Sequence, residues 1–275
     1  MDTVAASISP EQFLAVLGRA NAPAVLDARR DERFRESEHI LPGAIRCAPQ
    51  DVRAFAPAMG DGRAVVYCVH GQEVSQQAAA DLRAAGCDAV YLQGGIEALI
   101  EQGLPTLRKR PDLGVTGEQP SRWITRERPK IDRIACPWLV RRFIDPRAQF
   151  FYVPVDRVFE EAQRLQAVPY DIPGAPIAHD DELCSFDTLL RAFDLKLPAL
   201  LSLATIVRGA DTGRPELAPQ SAGLLAVSLG LSRLHADDHA MLEAALPLYD
   251  ALYAWCQAAQ GEAHRGNTPV RRPAQ

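Results

Sequence analysis

One segment predicts the architecture of the first part of this chain: Ala64-Val65-Val66-Tyr67-Cys68-Val69-His70-Gly71-Gln72-Glu73-Val74-Ser75. Its apolar run ends in a cysteine, a loop with one glycine follows, and helical spacing continues through Gln76–Ala85, which predicts strand, tight loop and helix. A sulfur at the carboxyl end of a parallel strand, near loop amides and a helix N-terminus, lies in positive potential that stabilises a thiolate. Cys68 is therefore a candidate persulfide carrier, whereas the alternative is a small buried apolar residue.

Short apolar runs on both sides of this segment predict a parallel sheet. Val25–Asp27, Val65–Cys68 and Val90–Leu92 are separated by helical segments, the pattern of an α/β sheet with helices on both faces. Ligands of such sheets bind outside the carboxyl ends of the strands. Asp27 and Cys68 both fall at that edge, so we expect the site there.

Four motifs follow one another in this part of the chain: Val25-Leu26-Asp27-Ala28-Arg29, Glu38-His39-Ile40-Leu41-Pro42-Gly43-Ala44-Ile45, Cys68-x-x-Gly71-x-x-x-Ser75, and Tyr91-Leu92-Gln93-Gly94-Gly95-Ile96-Glu97 with Gly103-Leu104-Pro105. Together they resemble the rhodanese-like sulfurtransferases. The resemblance implies a rhodanese-like parallel sheet, Cys68 as the catalytic residue, Arg29 as a group that orients the sulfur donor, and no required cofactor. It also implies a persulfide-binding loop formed by Val69, His70, Gly71, Gln72, Glu73 and Val74.

The sequence departs from that family at three places. Leu41 is an extra residue between Ile40 and Pro42, and Leu99 stands where the family usually has a tryptophan. Neither change threatens the fold. The loop also lacks the basic residue that many thiosulfate-using members carry, and Glu73 would repel a dianionic donor at short range. We therefore expect thiosulfate to be a poor physiological donor.

Composition narrows the class of protein. The chain has 275 residues and a formal net charge of -5, which suits two globular domains and argues against a nucleic-acid partner. We find no secretory signal and no apolar run long enough for a membrane span. Six scattered cysteines without a Cys-x-x-Cys pair indicate free thiols. We therefore expect a cytoplasmic protein with neither a membrane nor a nucleic-acid partner.

The predicted domain organisation has four parts. Residues 7–107 form the rhodanese-like domain, and the Pro-, Gly- and charge-rich segment 108–121 is a linker. Residues 122–260 form a mainly α-helical domain with a short strand at Phe150–Val155. The polar segment 261–275 is predicted to be a disordered tail.

A basic region opens the second half. From Arg108 through Arg147 there are eleven Arg or Lys residues against five Asp or Glu, which indicates either a solvated face or the surroundings of an anion site. Within it, Pro137 suits a first helical turn, so Cys136 would cap a helix near Arg133. A thiol at that place is expected to have a lowered pKa and is a candidate second redox thiol. The alternative is a packed cysteine beside Trp138.

A second cluster follows at Ile177–Asp187. His179, Asp180 and Cys184 offer imidazole, carboxylate and thiolate ligands, so a transition metal could bind there. The acidic residues before Ser185 could instead complement the start of a helix, with Ser185 as its N-cap.

The second half also resembles a known family in the segments Arg133–Asp145, Ile172–Gly174, His179–Phe186 and Ile206–Asp211. These are similar to the C-terminal domain of ChrB-type chromate-resistance proteins. The resemblance implies a link to oxyanion stress, with chromate or a similar dianion as a partner. Since a rhodanese-like domain replaces the N-terminal half of the full-length regulators, it does not imply DNA binding.

The sequence thus predicts a sulfurtransferase that takes sulfane sulfur from a small-molecule donor onto Cys68 and passes it to a thiophilic acceptor. The alternative is a non-catalytic rhodanese-like scaffold whose C-terminal domain binds or senses a metal or an oxyanion.

Overall fold

A parallel sheet organises the first half of the chain. In a computed structural model, which describes residues 6–59 and 62–262, the strands of this half are β1 (Ser7–Ile8), β2 (Ala24–Asp27), β3 (His39–Ile40), β4 (Ala44–Arg46), β5 (Arg63–Tyr67), β6 (Asp88–Leu92) and β7 (Leu107–Arg108). Five of them form a parallel sheet in the order β1-β6-β5-β2-β4, whereas β3 pairs antiparallel with β7. The predicted α/β fold is confirmed.

Helices cover this sheet on both faces: α1 (Pro10–Val16), α2 (Asp31–Glu36), α3 (Val52–Phe55), α4 (Glu73–Ala84) and α5 (Gly95–Glu101). Side chains of the central strand β5 alternate between the two faces of the sheet. Val65 and Tyr67 belong to one apolar cluster, whereas Ala64 and Val66 belong to another. A strand buried on both sides has no need of alternating polar residues.

The second half combines a small sheet with helices. Its strands are β8 (Arg122–Arg126), β9 (Gln149–Val153) and β10 (Val168–Pro169), parallel in the order β10-β8-β9. Its helices are α6 (Asp132–Leu139), α7 (Val158–Leu165), α8 (Ser185–Ala192), α9 (Pro198–Asp211), α10 (Gln220–Leu234) and α11 (Asp238–Ala258). The short strand predicted at Phe150–Val155 corresponds to β9. The central strand β8 was missed, because only three uncharged residues separate its terminal arginines.

One apolar core runs through both halves. It extends from Phe13 in α1 to Cys256 in α11, and it includes residues from the segment 108–121 that we predicted to be a linker. Leu113 and Val115 there are 1% and 2% exposed. The segment therefore packs between the halves. The predicted disordered tail 261–275 lies, from residue 263 onward, outside the described residues.

Among the residues that the structure describes, no helix is both long enough and apolar enough to cross a bilayer.

Candidate functional site

Cys68 lies directly after β5, at the carboxyl edge of the sheet, and it is 7% exposed. Its Sγ lies 3.2 Å from the Ser75 Oγ at the start of α4, and the Ser75 hydroxyl donates to the Gln72 carbonyl at 3.1 Å. A cavity of about 210 Å³ opens beside the thiol. It is lined by Arg29, Arg30, Arg33, Cys68, Val69, His70, Gln72, Glu73 and Val74.

Close backbone packing holds the loop that follows Cys68. The amides of Ile96 and Glu97, at the start of α5, donate to the carbonyls of Cys68 and Val69 at 3.1 Å each. In trans peptides the next amide points opposite to each carbonyl. The N–H groups of Val69 and His70 therefore point away from α5.

Two glycines permit this approach. A Cβ on Gly71 would lie 2.4 Å from the Leu92 carbonyl oxygen, and one on Gly95 would lie 2.4 Å from the carbonyl oxygens of Cys68 and Val69. Gly71 also has φ +66°, which favours glycine. Gly95, the second glycine of the Gly-Gly pair, is thus explained by contact with the cysteine loop, whereas a Cβ on Gly94 would meet the Ala98 side chain at 2.4 Å.

Arg29 belongs to a buried ion pair beneath the cavity. Its guanidinium donates to both Asp27 carboxylate oxygens, at 2.9 and 2.6 Å, and to the His39 carbonyl at 2.9 Å. The Tyr67 hydroxyl donates to the same Asp27 carboxylate at 2.6 Å, and both ion-pair side chains are 1% exposed. Arg29 therefore anchors the ends of β2 and β5 while one edge of it lines the cavity. The geometry makes this structural role primary.

Positive charge reaches the cavity from outside the loop. Arg30 and Arg33, at the start of α2, are exposed and line the cavity together with Arg29, while Glu73 is the one carboxylate among its described lining residues. The absence of an arginine in the loop is thus offset by α2. Sequence reasoning missed both residues, although Arg30 directly follows the Asp-x-Arg motif.

Cys136 does not lie where we predicted it. Helix α6 begins at Asp132 and contains Pro137 in its interior, so Cys136 is an internal helical residue and not an N-cap. It is 2% exposed, and burial, followed by the negative charge of Asp132, raises its pKa well above the ordinary value. The expected lowered pKa is wrong, because the helix starts one turn earlier than Pro137 suggests.

Three arginines near Cys136 form salt bridges with other residues of the second half. These salt bridges are Arg133–Asp171 at 3.2 Å, Arg141–Glu243 at 2.5 Å and Arg142–Asp250 at 2.8 Å. The first pair joins α6 to the loop after β10, and the other two join the turn after α6 to α11.

His179 belongs to a cluster of carboxylates that the sequence did not reveal. Its Nε2 lies 3.0 Å from Asp211 Oδ2, 3.3 Å from Asp171 Oδ1 and 3.5 Å from Asp132 Oδ2. Hydrogen bonds from the imidazole to Asp132 and Asp171 raise the His179 pKa to about 10. Burial, reinforced by the neighbouring carboxylates, raises the Asp211 pKa to about 7. Burial also raises the pKa of Asp132.

The other two predicted ligands lie elsewhere. Asp180 is exposed and pairs with Arg191 at 2.7 Å. Cys184 caps α8, its thiol donating to Asp187 Oδ2 at 3.2 Å, and burial raises its pKa. Of the predicted set, only His179 lies in this cluster, because the partners of His179 come from distant segments.

Comparison with known proteins finds a family match in each half of the chain. The rhodanese-like domain family matches residues 9–102, and the family described as "ChrB, C-terminal domain" matches residues 123–256. The chain is 32% identical over 161 residues to Protein ChrB of Cupriavidus metallidurans, an alignment that covers 58% of this chain and 48% of that protein. The chain thus spans about half the length of this relative.

The chain is also similar to solved structures over about a third of its length. A protein from Lactobacillus plantarum is 25% identical with a TM-score of 0.35, covering 37% of this chain and 87% of its own. A rhodanese-related protein from Thermoplasma volcanium is 26% identical with a TM-score of 0.32, covering 37% and 96%. A thiosulfate sulfurtransferase from Pseudomonas aeruginosa is 26% identical with a TM-score of 0.33, covering 37% and 19%.

The two family matches confirm both resemblances: the chain carries a rhodanese-like domain followed by a domain of the ChrB C-terminal type.

Proposed function

We propose that this chain is a sulfurtransferase that carries sulfane sulfur as a persulfide on Cys68. The observation that carries the proposal is the open cavity beside the Cys68 thiol, which Arg29, Arg30 and Arg33 line. A cysteine with only a packing role would need neither the opening nor the surrounding positive charge.

The reaction has two transfers. The Cys68 thiolate attacks the outer sulfur of a donor, forming a new S–S bond as the donor's own bond to that sulfur breaks and its electron pair leaves with the remainder. A nucleophilic acceptor then attacks the outer sulfur of the Cys68 persulfide, and the thiolate is regenerated. The amides of Val69 and His70 point away from α5 and can stabilise the persulfide anion. The Ser75 hydroxyl, which donates to the Gln72 carbonyl, lies 3.2 Å from Cys68 Sγ, the inner sulfur of the persulfide.

The charge of the cavity indicates the kind of sulfur donor, and the family match indicates the biological role. Arg30 and Arg33 against Glu73 make the cavity suitable for a small anionic sulfur donor, since the charge of Arg29 is already paired with Asp27. The match to the ChrB C-terminal domain supports a role in resistance to chromate or a similar oxyanion. We place the chain in the cytoplasm, since a reducing compartment suits the six cysteines, all of which are free.

Cyanolysis tests the proposal. Wild type and Cys68→Ala are incubated with several sulfane donors and cyanide, and thiocyanate release is measured. We expect the variant to fall to the rate without protein, while the control variant Cys256→Ala, altered at a cysteine in α11, keeps the wild-type rate. Thiocyanate release that does not depend on Cys68 with any donor would reject the assignment. Intact-mass spectrometry adds a second measurement, a one-sulfur adduct that Cys68→Ala lacks.

A further inference from the structure

A cluster in the second half is left unexplained by sulfur transfer. Asp132, Asp171, His179 and Asp211 come from the start of α6, the loop after β10 and the end of α9, yet their functional atoms converge. One ligand atom each from Asp132, His179 and Asp211 lies within 4.8 Å of the others. Three carboxylates around one imidazole nitrogen form a strongly negative cluster in a partly buried place.

The charge of this cluster is incompletely compensated. Arg133 and Arg126 approach Asp171, at 3.2 and 3.6 Å. Among the residues described here, Asp132 and Asp211 form ion pairs with His179 alone. Two buried or half-buried carboxylates thus share one imidazole, although an unpaired buried charge is costly.

An unsatisfied atom points to a missing partner. Asp132 is 0% exposed. Its Oδ2 accepts a hydrogen bond from the Ser185 amide at 2.6 Å, but its Oδ1 is buried and has no hydrogen-bond partner among the described residues. Buried polar atoms of this kind are rare and call for an explanation, of which an unplaced ion is one.

The spacing of these atoms suits a first-row metal ion. Two ligands about 2.1 Å from one metal are about 3.0 Å apart at a right angle and about 3.4 Å apart at a tetrahedral angle. The distances from His179 Nε2 to Asp211 Oδ2 and to Asp132 Oδ2, 3.0 and 3.5 Å, lie at or close to these values.

We propose that Asp132, His179 and Asp211 bind one divalent first-row metal ion, with manganese(II), iron(II) or zinc(II) as the matching class. Carboxylate and imidazole together suit these ions, whereas calcium and magnesium prefer oxygen alone. Asp171 is already paired with Arg133 and accepts from the Ser185 hydroxyl at 2.9 Å, so we leave it out of the ligand set. Since His179 is 44% exposed and Asp132 is buried, the metal keeps a solvent-facing position for water or an anion.

Metal binding is tested on the full chain. Protein stripped with EDTA is titrated calorimetrically with manganese(II), zinc(II) and, without oxygen, iron(II), and bound metal is measured by mass spectrometry after gel filtration. We expect one equivalent of at least one metal and a higher thermal midpoint in its presence. Asp211→Asn and His179→Ala should each weaken that binding at least tenfold.

Matched variants separate this site from its surroundings and from Cys68. Asp180→Asn, which alters the exposed carboxylate next to His179, should bind as wild type does, and so should Cys68→Ala. Near-ultraviolet circular dichroism checks that each variant is folded. The proposal is overturned if wild type retains none of the three metals, or if folded Asp211→Asn and His179→Ala both bind like wild type. Because Cys68→Ala abolishes sulfur transfer but not metal binding, the two proposals fail separately.

Discussion

Gly71→Ala should damage both the stability and the activity of the rhodanese-like domain. Gly71 has φ +66°, and an added Cβ would lie 2.4 Å from the Leu92 oxygen, 2.6 Å from the Gly94 nitrogen and 2.8 Å from the Gly95 nitrogen. The left-handed conformation costs an alanine about 1–2 kcal/mol. Forcing a methyl against backbone adds roughly 1–3 kcal/mol. We therefore expect unfolding free energy to fall by about 2–5 kcal/mol.

Gly103→Ala is the matched control. Gly103 also has a positive φ, +63°, but nothing lies within 4 Å of its Cβ position. The unfolding free energy of this variant should fall only by the cost of the left-handed conformation, about 1–2 kcal/mol. Urea unfolding measures both losses from the transition midpoint and slope.

Thiocyanate release gives the second readout of the same pair. The clash of the methyl added at position 71 can be relieved only by moving the loop away from α5. The Cys68 carbonyl accepts a hydrogen bond from that helix. A displacement near 1 Å can cost up to about 100-fold in rate, so Gly71→Ala should lose activity while folded and Gly103→Ala should keep it. Equal stability losses in the two variants, with equal activities, would refute the reasoning.

Three further outcomes follow from the same geometry. Asp27→Ala leaves Arg29 buried without its carboxylate, so unfolding free energy measured in urea should drop by about 3–5 kcal/mol; a loss below 1 kcal/mol would contradict the role given to that pair. In limited iodoacetamide labelling at pH 8, peptide mass spectrometry should find Cys68 modified long before Cys136, whose burial raises its pKa, and comparable rates would count against the open cavity. Arg33→Gln should raise KM for an anionic donor at low salt, and the difference should shrink as salt is added; an unchanged KM would remove Arg33 from donor binding.

The strand, loop and helix around Cys68 could be predicted because their signals are local. An apolar run, a glycine and helical spacing occupy adjacent positions, so nothing depends on distant contacts. The charge of the cavity could not be predicted in the same way. It depends on Arg30 and Arg33, which come from α2 and reach the thiol only because β2 and β5 are neighbours in the sheet.

The aspartate cluster was hidden for a related reason. Asp132 begins a helix and Asp211 ends one, so each has an ordinary local explanation, and 79 positions separate them along the chain. His179 drew attention because an imidazole among carboxylates is unusual. Its neighbours in the sequence, Asp180 and Cys184, serve instead in an ion pair and a helix cap.

The sequence predicts a linker between the two halves, whereas the structure shows that they share a core. After α6 the chain widens into a π-helical turn, Val140–Ile144, which no apolar period predicts. This turn brings the Phe143 ring over Gly18, where a Cβ would lie 2.1 Å from the ring, and the Phe143 carbonyl accepts the Gly43 amide at 2.9 Å. Gly43 belongs to the turn next to β4, in the sheet that positions Cys68. The second domain therefore packs on the framework of the first one.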